Sequence, residues 1–417
     1  MMLQKILPWL AMGLCLFVGA ELAHAQTIAW QQTSGPFAGI VRTLAIDANG
    51  DIFAGTEGSG VFRSKDNGAN WTTANKGLAI LHVRSLAINS QGHIFAGTTG
   101  GGVSRSTDNG ENWTSVNTGL TNLFVRCLAI NASGHIFAGT LFGGIFRSTN
   151  NGESWTVLNT GLVNTAVSAL ALNAAGHVFA GTAAGMHRST DNGDSWTPIN
   201  TGLTYSDVRS LAINPATQII FAGTGGSGVF RSMDNGLSWT EVNSGLTIRS
   251  VYALAINSTG HIFAGGSGGI FHSTDNGGSW MAVNSGLADT EVRSLAINST
   301  GYIFAGTYGG AVFRSKQSTT SVKESADDLQ MSFVLEQNYP NPFNPATTIS
   351  FSLPRYVFVT LKVYNTLGEE VATLIMKNLS AGKHHIVWDA NDIASGVYFY
   401  RLQAGGLVET KKLVLVR

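Results

Sequence analysis

Short apolar runs of about five residues, each closed by a Gly-, Asn- or Ser-rich turn, recur through most of the chain, and no helical spacing of apolar positions interrupts them. One unit runs from Val83 to Leu120. Val83-Arg84-Ser85-Leu86-Ala87-Ile88 predicts a strand, and Asn89-Ser90-Gln91-Gly92 a turn. His93-Ile94-Phe95-Ala96-Gly97-Thr98 predicts a second strand, and Val103-Ser104-Arg105-Ser106 a third beyond a glycine turn. After Thr107-Asp108-Asn109-Gly110-Glu111-Asn112, Trp113-Thr114-Ser115-Val116-Asn117 predicts a fourth. Such a unit is an antiparallel four-stranded sheet.

The unit repeats. Phe-Ala-Gly-Thr starts at Phe53, Phe95, Phe137, Phe179 and Phe221, returns as Phe263-Ala264-Gly265-Gly266, and ends as Phe304-Ala305-Gly306-Thr307, a period of 42 residues with one step of 41. Four strands in about 40 residues is the size of a β-propeller blade. A linear solenoid competes, but its end sheets would need caps. The last unit stops at Phe313-Arg314-Ser315 without a tryptophan strand, and Ile28-Ala29-Trp30-Gln31 near the start resembles that missing strand. Trp30 can therefore supply it and close the ring, removing the open edges. The expectation is an all-β chain: a seven-bladed propeller over 26–316, then a small immunoglobulin-like sandwich.

The turn between third and fourth strands reads Ser-x-Asp-x-Gly-x-x-Trp, with Asp66, Asp108, Asp191, Asp234 and Asp275 leading to Trp71, Trp113, Trp196, Trp239 and Trp280; a sixth copy has Asn150 before Trp155. This resembles the Asp-box (BNR-type) repeat of sialidases, sortilin-type receptors, xyloglucan-cleaving enzymes and photosystem assembly-factor propellers. Its expected role is structural: the aspartate accepts turn amides, the glycine tolerates positive φ, and the tryptophan packs over its hairpin. One carboxylate per box on separate blades does not offer calcium the six to eight oxygens it takes, so no metal is expected.

Composition narrows the function classes. Lys+Arg and Asp+Glu balance at 25 each, which points away from nucleic acid. Lys5, the apolar run 6–20 and Ala23-His24-Ala25 read as a signal peptide over 1–25, with no membrane span in the mature chain. Cleavage there leaves Cys127 as the single thiol, an expected inert core residue.

No catalytic residues or cofactor site are expected. The Arg-Ile-Pro motif by which sialidases resemble one another is absent, and Asp47, Asp51, Glu57, Asp207, Glu241, Asp289 and Glu291 are scattered over loops. His93, His135, His177 and His261 recur at one turn position on different blades, expected to be exposed. The alternative is a secreted glycoside hydrolase or lyase acting on polysaccharide, should two carboxylates meet across the ring.

The candidate ligand face carries the loops at the start of the innermost strands. Arg42, Arg84, Arg126, Arg209 and Arg293 start that strand in five blades, with Ser168 and Tyr252 in the others. They form either a broken cationic ring suited to an anionic or sugar-acid ligand, or groups that satisfy loop carbonyls; the plainer reading is preferred, because any repeat makes a ring. Leu81, Leu123, Phe124, Leu141 and Phe142 map to the same face as a platform for a glycan or protein, or as loop packing. Arg63, Arg105, Arg147, Arg188, Arg231 and Arg314 end the third strands and are read as structural.

Residues 317–332 read as a linker. Beyond it lie Tyr339-Pro340-Asn341-Pro342-Phe343-Asn344-Pro345, then Gly396-Val397-Tyr398 and a Lys411-Lys412 terminal strand. Residues 333–417 closely resemble the type A C-terminal sorting domain of the type IX secretion system. The resemblance implies a Gram-negative bacterium of the Bacteroidota kind, and export by that machinery as partner. It also implies removal of the domain, with release or attachment at the outer-membrane surface. The expected role is binding, adhesion or scaffolding without catalysis.

Overall fold

The apolar runs form strands, and no helix occurs among the described residues, which in this computed structural model are 28–320, 333–353, 357–379, 382–404 and 407–417. The leader 1–25 and linker residues 321–332 lie outside them. The chain divides into two units, Met1–Ser321 and Val322–Arg417.

The first unit holds seven four-stranded antiparallel sheets. Blade 2 is typical, with Val83–Ile88 innermost, then Ile94–Thr98, Gly102–Ser106 and Thr114–Ser115 outermost. Its second strand is buried along its whole length, because both faces meet neighbouring blades. Glycine sets that contact distance: a Cβ on Gly97 would lie 2.6 Å from Val125 Cγ1 of blade 3.

Blade 7 is composite. Trp30–Gln32 pairs antiparallel with Val312–Ser315, Trp30 opposite Ser315, so the two ends of the repeat region share one sheet. Trp30 is 1% exposed, and its Nε1–H donates to Val283 O of blade 6 at 2.6 Å. Trp113, Trp155, Trp196, Trp239 and Trp280 make the same bond to Ala74, Val116, Leu158, Ile199 and Val242 carbonyls, at 2.7–2.9 Å. The tryptophans therefore do more than cover their own hairpins; each pins its blade to the preceding one. Trp71 differs: it is half-buried, and its Nε1–H reaches Thr33 Oγ1 at 3.3 Å.

In the Ser-x-Asp turn of blade 2, Asp108 Oδ1 accepts from Ser106 Oγ at 2.8 Å and from Asn112 N at 2.9 Å, while Gly110 N–H donates to Ser106 Oγ at 2.8 Å. Asn109 and Gly110 take φ of 58° and 84°, so an Asn-Gly pair holds the turn. Asn150 Oδ1 substitutes for the carboxylate, accepting from Ser154 N at 3.0 Å.

The propeller extends past the expected boundary at 316. Thr319 N–H donates to Gly301 O at 2.8 Å, and Asn257 Nδ2 donates to Thr319 O at 3.1 Å. The second unit stacks a three-stranded sheet (Val334–Leu335, Ala346–Leu353, Gly382–Asp389) and a four-stranded one (Glu370–Leu379, Val357–Tyr364, Gly396–Ala404, Leu407–Leu415) around Phe343, Phe351, Leu361, Trp388 and Tyr400.

Candidate functional site

In every blade the pairing of the first two strands slips by one residue. Val83 faces Thr98 but Ser85 faces Gly97, which leaves Arg84 on a β-bulge. The same slip occurs at Arg42, Arg126, Ser168, Arg209, Tyr252 and Arg293. A bulged residue is unpaired in the ladder and its side chain is re-aimed. Here all seven side chains turn to one cavity of about 350 Å³, which Asp207 also lines.

Three carboxylates partly neutralise the ring. Glu57 pairs with Arg42 and lies 3.8 Å from Arg84; Asp207 pairs with Arg209 at 2.8 Å; Glu291 pairs with Arg293. Five arginines against three acids leave a formal excess of two positive charges. Arg126 has no carboxylate within ion-pair distance among the described residues, and its Nη1 donates to Ser168 Oγ at 3.1 Å. Burial, then the nearby Arg42 charge, pushes the Arg84 pKa down against the pull of Glu57. Burial raises the Glu57 pKa, but Arg42 and Arg84 outweigh it and hold the carboxyl below its usual range. Tyr252 is more than a gap in the ring: the Arg293 guanidinium lies 4.0 Å from its ring centroid and that of Arg209 5.5 Å.

The loops around the mouth interlock. Gly58 N–H of blade 1 donates to Leu81 O, and Gly100 N–H of blade 2 to Leu123 O, at 3.1 and 3.0 Å. The loops between second and third strands thus share a face with those entering the next blade. Leu81, Leu123, Phe124 and Phe142 are exposed there, Phe142 by 70%. Leu141 is half-buried, with its N–H on Phe124 O at 3.0 Å. Phe37, Val163, Tyr205 and Tyr308 are exposed on loops of the same class. No repeat word places them on this face; the pairing of the loops in the structure does.

The other carboxylates are held locally. Asp51 pairs with Arg63 at 2.6 Å, Glu241 with Arg249 at 3.6 Å, and Asp47 and Asp289 cap turn amides at 2.8–3.0 Å. The four turn histidines are half-buried rather than exposed, and two of them reach another strand or blade: Asn192 Nδ2 contacts His135 Nδ1 at 2.9 Å, and His261 Nδ1 lies 3.2 Å from His272 Nε2. Among the described residues no three His, Cys, Asp or Glu side chains converge as a metal set. Cys127 lines the channel behind the ring, and burial pushes its thiol up to about 12. The outer arginines bridge blades, as when Arg105 Nη1 donates to Asn151 O at 2.8 Å.

Residues 337–416 match the family described as the secretion system C-terminal sorting domain. The chain carries a type IX sorting domain. It is exported, to the cell surface or the medium, and engages the secretion machinery through that domain. Residues 24–162 match the DUF6242 β-propeller domain. No curated protein matches in sequence. Among solved structures, the extracellular domain of one-component system BT4673 from B. thetaiotaomicron is 14% identical with a TM-score of 0.59, covering 93% of this chain and 52% of that one. PorZ, a surface component of the type IX secretion system of Porphyromonas gingivalis, is 16% identical with a TM-score of 0.57, covering 92% and 60%. YCF48 bound to D1 peptide is 16% identical with a TM-score of 0.59, covering 72% and 98%. The chain thus spans about half of the first protein and most of the last. At these identities the likeness is one of fold.

Proposed function

We propose that this exported propeller is a binding protein rather than a catalyst, and that its channel mouth takes the acidic groups of a surface polysaccharide. The observation that carries the reading is the bulged arginine ring, where Arg126 has no acid partner among the described residues and Arg84 shares Glu57 with Arg42. Guanidinium forks suit carboxylate or sulfate groups, and the exposed Phe124 and Phe142 beside them suit the apolar face of a sugar ring. The local pairing of the loop carboxylates favours this reading over hydrolysis. With it goes the view that the Ser-x-Asp turns are Asp-boxes and that the source is a bacterium of the Bacteroidota kind.

The test is a glycan array and polysaccharide pulldown with the mature chain, with product analysis on each hit. Acidic polysaccharides bind and neutral ones do not. Arg126→Ser, which copies blade 4, removes a charge-assisted bond of about 1.5–3 kcal/mol and weakens binding about 10- to 150-fold. Released sugar would overturn the non-catalytic reading. Equal binding by Arg126→Ser would overturn the site, and binding of acidic peptides alone would replace the ligand class.

A further inference from the structure

Blade 6 breaks the outer pattern at two positions that face each other. The other blades end their third strand with Arg63, Arg105, Arg147, Arg188, Arg231 and Arg314; blade 6 has His272. Opposite these arginines stand Thr72, Thr114, Thr156, Thr197 and Thr240, with Gln31 in blade 7, whereas His272 faces Met281. The loss of arginine has a physical reason. Arg105, Arg147, Arg188, Arg231 and Arg314 each donate to the carbonyl of the Asn-Gly turn in the next blade. Blade 7 closes the ring, and its third strand runs on to Gln317–Thr320 instead of into that turn. An arginine in blade 6 would lack that acceptor.

A third group completes the cluster. His261 Nδ1 lies 3.2 Å from His272 Nε2, with the rings tilted by 52°. His272 is held by stacking on Phe263, centroids 4.7 Å apart, and the His261 backbone N–H is fixed on Asn257 Oδ1 at 2.9 Å. Two imidazole nitrogens at that separation subtend about 100° at an ion bonded to both at about 2.0–2.1 Å. Directly opposed residues have Cβ atoms about 4.5–5.5 Å apart, within reach of the flexible methionine thioether. Met281 is half-exposed, so an ion can enter from solvent.

We propose that His261, His272 and Met281 form a binding site for copper(I). Two neutral imidazoles and a thioether make a soft, uncharged ligand set, which selects a soft monovalent ion over hard cations. The ion takes the place of the proton between the two rings, and that proton moves to the far nitrogen of its own ring, so no net proton is released.

The experiment is anaerobic copper(I) titration of the full mature chain against a chromogenic copper(I) chelator, with X-ray absorption of the loaded protein. Met281→Thr copies the other blades, whereas His272→Arg brings in their arginine without the turn carbonyl it takes there, so the urea midpoints of both variants check that the fold is kept. One copper(I) per chain with nitrogen and sulfur scattering is expected. His272→Arg weakens it by about 100-fold and Met281→Thr by about tenfold. Absence of uptake at micromolar copper(I), or uptake undiminished by His272→Arg, overturns the site. Unchanged copper(I) affinity in Met281→Thr overturns the thioether ligand and with it the assignment to copper(I).

Discussion

Seven tryptophans occupy one motif position, yet their contacts predict unequal importance. Trp155 is 5% exposed and its Nε1–H satisfies Val116 O of the preceding blade at 2.7 Å. Trp155→Phe leaves that carbonyl unpaired at a blade interface, at about 1–3 kcal/mol, and gives up part of a buried ring, for about 2–4 kcal/mol in all. Trp71 is half-buried and donates at 3.3 Å to a hydroxyl that already has acceptors of its own in Gly35 O and Val312 O. Trp71→Phe should cost about 1 kcal/mol or less, because no buried carbonyl loses its partner. Urea unfolding of the mature chain, followed by circular dichroism, separates the two. With a slope near 3 kcal/mol per M, Trp155→Phe lowers the propeller midpoint by about 1 M and Trp71→Phe by about a third of that. Equal shifts would refute the idea that the indole bond to the preceding blade is what these residues contribute.

Gly97→Ala forces a methyl against Val125 of the next blade and should cost about 1–3 kcal/mol, read as a lowered thermal midpoint; an unchanged midpoint would mean that the blades can spread. The Asp191 carboxyl is held down to about 2 by Ser189, then by the Ser195 side chain and amide. Because the folded value lies below the unfolded one of about 3.9, its contribution is full above that pH and is lost as pH falls through about 2. The urea midpoints of wild type and Asp191→Asn should therefore differ most near neutrality and converge near pH 2. Cys127, with its thiol raised to about 12, should resist alkylation at pH 8 until the chain unfolds; fast labelling of the native protein would refute that.

The repeat word, the turn motif and the orphan strand at Trp30 made the sheet count and the ring closure legible, because blade formation depends on short apolar runs and turn chemistry that any one unit displays. The sorting domain was legible for a similar reason, in a contiguous Pro-Asn-rich run and its strands. Sequence also named the five inner arginines, but not what they do. Whether they point into a common mouth depends on a one-residue slip in pairing, and whether they are neutralised depends on Glu57, Asp207 and Glu291 arriving from loops. The tryptophan bonds to the preceding blade, the stacking of Tyr252 with Arg293, and the meeting of His261 with His272 are likewise contacts made by packing. A strand is written in consecutive residues; a ring of side chains is set by register and by which blade stands next, and those were decided only when the propeller closed.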